Sequence, residues 1–166
     1  MTKSQCYSEI ARNNQLIAGY QSQINSLNSE ITELTTTRVK IVNMKTTLAS
    51  CKQTGSRRLA DTSKVGKINS KLIGKIYKNM NSLFEGIEYQ SVKNGLDSAI
   101  SRVDEEIENK KKQIQALNSN ISQCQSTINR MNNTISQIEA QERAEAARRA
   151  EAERQAAAQR EEKNKK

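Results

Sequence analysis

The side chains of this protein are equipped for association more than for bond-making. It contains no histidine, and no nucleophile motif, glycine-rich phosphate loop or grouped set of metal ligands occurs along it. Cys6, Cys51 and Cys124 are odd in number and far apart, which suits neither a disulfide framework nor a close metal-ligand pair. Carboxylates are plentiful but interleaved with basic residues on helical faces, so no acid–base pair converges on a pocket. The sequence implies no cofactor and no catalysis. The densest group of contact residues lies mid-chain: Leu72, Ile76, Tyr77, Met80, Leu83, Phe84, Ile87 and Tyr89. Left uncovered, such residues form an exposed apolar face, which usually marks a binding surface. The alternative is a short helix packing on the protein's own arms.

The elements that present this group are set by two heptad patterns. In the second arm, Ile100, Ile107, Ile114, Ile121, Ile128 and Ile135 recur every seven positions, and Leu96, Val103, Leu117, Cys124, Met131 and Ile138 mark the companion position. A sustained spacing of 3.5 residues is the signature of a coiled-coil seam. In the first arm, Ile10, Ile17, Ile24 and Ile31 mark one position and Cys6, Tyr20, Leu27, Leu34, Ile41 and Leu48 the other. Cys6 and Cys124 sit in these seams, where a thiol serves as a small hydrophobe. Gly19 weakens the first helix by about 1 kcal/mol without stopping it.

The arms, residues 1–52 and 91–139, match in length at about 70 Å each along their seams. The reading is an all-α protein, an antiparallel two-helix hairpin with an irregular central segment and a long C-terminal helical extension. With Leu48 placed near Leu96, Arg38 approaches Glu106 and Lys110 approaches Glu33, giving polar layers that fix alignment. Snorkelling of both side chains to solvent is the competing explanation. Ile-rich seams also suit parallel oligomers, so a self-assembling structural coiled coil is the rival architecture.

Between the arms, residues 53–64 are rich in small and polar types and read as a loop, with Asp61, Thr62 or Ser63 available to cap the next helix. Residues 65–90 read as a central amphipathic helix or the start of the second arm. Val65, Ile68, Leu72, Ile76, Met80, Leu83 and Ile87 form its stripe, and Gly86 or Gly95 could break it. Residues 140–166 lose large apolar types and read as a charged Ala/Glu/Arg-rich helix, an exposed extension or a docking arm.

Composition agrees with burial along seams. Of 166 residues, 34% are hydrophobic and 3% aromatic, proline is absent and glycine occurs six times, too lean for a layered core. The net charge of +9 reads as scattered, without a recognition motif or stacking platform, so no nucleic-acid partner is expected. No run of eighteen apolar residues and no signal segment is found, so no membrane insertion and a cytoplasmic location are expected.

Leu72-Ile73-Gly74 followed by Ile76, with Val92 to Ile107 beyond, resembles the YwqH-like small helical proteins of Gram-positive bacteria, over roughly residues 4 to 138. Trp is absent, so Leu72-Ile73-Gly74 or Phe84-Glu85-Gly86 would stand where that family often carries Trp-x-Gly. The resemblance implies kinship of form with WXG secretion proteins. It also implies a role as targeting factor or chaperone for the helical N-terminal domain of an LXG toxin in type VII secretion. The expectation is thus a non-catalytic binder of a helical protein, with a second small helical protein as a further candidate partner, cytoplasmic or exported with its client. Its partner-binding residues would be Leu72, Gly74, Ile76, Met80, Leu83, Phe84, Ile87 and Tyr89.

Overall fold

The computed structural model describes the backbone of residues 1–65 and 71–164, with side chains for 1–61 and 74–160. Almost all of this is helix: α1 spans Lys3–Val65, α2 Lys71–Glu85 and α3 Ile87–Asn164. There is no strand among the described residues. Every residue of both heptad seams is buried or half-buried, as the absence of proline and the strong helix formers between seam positions allow.

The helices contribute to two compact units. The first combines Met1–Ile24 with Gln115–Lys166. Its core is Cys6, Met131 and Ile135 with Ile10 packed against them, and Cys6 is wholly buried. Asn13 occupies a seam position and is also buried; its Nδ2 donates to the Glu9 carbonyl at 2.8 Å and to Glu9 Oε1 at 3.3 Å, so the amide is satisfied locally. Lys3 pairs with Glu142 and lies 4.0 Å from Glu139.

The second unit is Asn25–Ile114. Three ion pairs join α1 to α3 within it: Lys45 with Asp97, Arg38 with Asp104 at 2.6 Å, and Glu30 with Lys110 at 2.5 Å. Partner numbers rise along α3 as they fall along α1, so the two segments run in opposite directions. Arg38 is bidentate, its Nη2 donating to Asp104 Oδ2 at 3.2 Å.

These pairs correct the expected register. Arg38 meets Asp104 and not Glu106, and Lys110 meets Glu30 and not Glu33. Glu106 lies instead 3.3 Å from Lys110 on its own helix. An alignment taken from seam ends cannot resolve a slip of two residues, about 3 Å along a helix. The spacing of seven from Arg38 to Lys45 matches that from Asp97 to Asp104, and this match sets the pairing.

Residues 53–64, expected as a loop, are helical, since α1 continues to Val65. Asp61, Thr62 and Ser63 consequently lie within α1. Gly55 costs this helix about 1 kcal/mol, but the Phe84 ring fills the space beside it, and Leu59 one turn on is buried. Tertiary packing thus offsets poor local propensity. Ser56 Oγ is buried beside this contact without a hydrogen-bond partner among the described residues.

The interruption between α2 and α3 falls at Gly86. A Cβ there would lie closer than 3.0 Å to the Ser82 carbonyl oxygen, so the local backbone requires glycine. Helical bonding resumes where Gln90 N–H donates to the Gly86 carbonyl at 3.3 Å. Gly95 lies within α3, which runs unbroken through it.

Candidate interaction surface

α2 is strongly amphipathic over its 15 residues. Ile76, Met80 and Leu83 follow one another at spacings of four and three, which places them on one face. Beyond the Gly86 interruption, Ile87 at the start of α3 is a further exposed apolar residue. These four are 49%, 41%, 58% and 88% exposed, respectively. Fully burying a side chain of this size contributes roughly 1.5–3 kcal/mol, so the row is a substantial unsatisfied apolar face.

The expected site residues divide into two sets. Ile76, Met80, Leu83 and Ile87 are exposed, as is Gly74 with open space around it. Phe84 and Tyr89 turn toward α1. A methyl group at Gly55 would come within 3.0 Å of three carbons of the Phe84 ring, and Lys52 Nζ stands 4.7 Å from the centroid of the Tyr89 ring, a cation–π contact. Both aromatics therefore hold α1 against the Phe84–Tyr89 region and are not free surface. The Leu72 side chain, and those of Val65 and Ile68 in the same stripe, lie outside the described residues.

Around Gly86 the surface is indented. Two open depressions flank Ile87, one edged by Asn79, Ser82 and Leu83 and the other by Gln90, Ser91 and Asn94. Gly86 and Ile87 line both.

Charged residues hold the supporting helices. The hydrogen bond from Lys45 keeps the Asp97 carboxyl below its ordinary value, and Lys110 does the same for Glu30. In the other direction, Glu30 raises Lys110 and Asp104 raises Arg38. The seam continuation Arg38, Lys45, Lys52 is legible as a seven-residue repeat of cations, yet only Arg38 stands out as an interruption. Asn13 likewise fits the repeat between Cys6 and Tyr20.

Among the described residues, no helix is long and apolar enough to cross a membrane. The chain matches no family model, no curated protein and no solved structure.

Proposed function

We propose that this protein is a non-catalytic helical adaptor, an antiparallel coiled-coil hairpin that presents α2 to the helix of another protein. The exposed residues Ile76, Met80 and Leu83 on one face of α2, with exposed Ile87 just beyond the break, carry the reading, because such an apolar stripe is the kind that docks helix to helix. The ion pairs between α1 and α3 and the Phe84–Gly55 contact support it, since they hold that edge on a packed scaffold. The resemblance to YwqH-like proteins extends the proposal to a client: the helical N-terminal domain of an LXG toxin, for which the adaptor would act as targeting factor or chaperone in type VII secretion.

Tagged wild-type protein and an Ile76→Asp/Leu83→Asp variant would be recovered from the source cell and co-purifying chains identified. One helical partner at equal stoichiometry with the wild type, lost in the variant, is the expected result. Recovery of the protein alone, sedimenting as a defined oligomer, would overturn the adaptor reading in favour of a self-assembling structural coiled coil.

A further inference from the structure

We infer that the helix met by the α2 face is acidic, bearing Asp or Glu along one flank of its own apolar stripe. The inference rests on the reading of α2 as a docking surface and specifies the chemistry of the docking helix. Residues 62–84 contain Lys64, Lys67, Lys71, Lys75 and Lys78 and no Asp or Glu, so this stretch holds five of the nine net positive charges. Residues 34–60 also carry six cations and no acid, but there Arg38 and Lys45 pair with Asp104 and Asp97 across the helices. The nearest acids in sequence are Asp61 and Glu85, more than one helical turn from either Lys75 or Lys78, both of which are exposed.

The lysines are not arranged to stabilise α2. A helix favours acids in its first turn and bases in its last. α2 begins at Lys71, ends at Glu85, and has no acid in the first turn and no base in the last. At about 100° per residue, Lys75 and Lys78 fall about 60° apart on the side of α2 away from Phe84, with Glu85 two turns beyond Lys78 on that side. The apolar row is therefore rimmed by cations on one side, while the other side carries Phe84 and its contact with Gly55. A partner helix with one acidic flank matches this asymmetry. A bilayer surface would meet both flanks alike; because Tyr77 on α2 is an exposed aromatic that could also anchor at such a surface, vesicles are included as a probe.

The test uses the full-length protein and two labelled synthetic helical peptides with an identical leucine stripe, one flanked by Glu and the other by Lys. Binding is followed by fluorescence anisotropy, with phosphatidylcholine vesicles containing phosphatidylserine as a third probe. The Glu-flanked peptide is expected to bind about tenfold tighter than the Lys-flanked one at about 0.05 M salt, with the preference largely gone at about 0.5 M. Lys75→Glu/Lys78→Glu should reverse the preference, and Ile76→Asp/Leu83→Asp should abolish binding of either peptide. Equal binding of the two peptides would overturn the acidic partner while leaving α2 as a docking face. Binding of the vesicles and of neither peptide would overturn both, and binding of no probe would overturn the acidic partner, leaving the docking face to the co-purification experiment.

Discussion

The ring of Phe84 occupies the place where any residue larger than glycine at position 55 would put its first side-chain carbon. Gly55 is thus kept for space, since no described residue has a positive φ. Adding a methyl there should overpack the contact, at about 1–3 kcal/mol, which a gain of about 1 kcal/mol in helix propensity offsets only in part. Gly55→Ala should therefore lower the urea midpoint, whereas in a Phe84→Ala background the same substitution should cost little or nothing. A raised midpoint for Gly55→Ala would contradict the contact.

Gly19 supplies the opposite case. It lies inside α1 with nothing within 4 Å of an added Cβ, so Gly19→Ala should stabilise the protein by about 1 kcal/mol. Thermal or urea denaturation of both variants side by side separates glycine kept for room from glycine that is merely tolerated.

At Gly86 the obstacle is backbone, since the added carbon would run into the Ser82 carbonyl oxygen. A flexible side chain can move aside, but this oxygen moves only if α2 shifts against α3. Gly86→Ala should accordingly destabilise more than Gly55→Ala, and it should accelerate proteolysis between α2 and α3. Unchanged cleavage kinetics would argue that the interruption is not needed.

The register itself can be tested with paired substitutions. A double-mutant cycle on Arg38 and Asp104 should show coupling, and one on Arg38 and Glu106 should show none. Lys45 with Asp97 should behave like the first cycle, and coupling there should weaken with salt because these side chains are part-exposed.

Acid should weaken the fold through the same pairs. Asp97 and Glu30 have carboxyl values held below their ordinary 3.8 and 4.5 by Lys45 and Lys110. A depressed folded value means that the contribution is complete above the unfolded value and is lost as pH falls through the folded one. The denaturation midpoint should therefore hold down to about pH 5 and then fall, with a smaller fall in Asp97→Asn/Glu30→Gln. On the alkaline side, Lys110 is raised above 10.5, so its contribution is complete below 10.5 and is lost as pH rises through the raised folded value.

The seams are readable from sequence because burial along a line leaves a periodic record, and all their residues from Cys6 to Ile138 are at least half-buried. That record omits the partner across the seam. The two-residue slip from Glu106 to Asp104 leaves the pattern within each arm unchanged, and only the matched spacing of Arg38, Lys45, Asp97 and Asp104 resolves it. The segment around Gly55 misleads for a related reason: its local composition favours a turn, and the ring that makes helix acceptable comes from about thirty residues away. Along α2 the stripe Ile76, Met80, Leu83 and Ile87 is visible in the sequence, but spacing alone does not say that Phe84 and Tyr89 are drawn to α1. The lysine segregation is in plain view and is obscured by averaging charge over the whole chain.

Of the three thiols, Cys6 and Cys124 are buried and Cys51 is exposed. Cys51 lies one turn before Gly55 on α1, on the same side of the helix and close to where Phe84 settles. The wild-type chain therefore carries a selective attachment point for a maleimide dye, next to the contact that holds the Phe84 region in place. Emission from that dye would track the docking of this region in real time, without any engineered cysteine to disturb it.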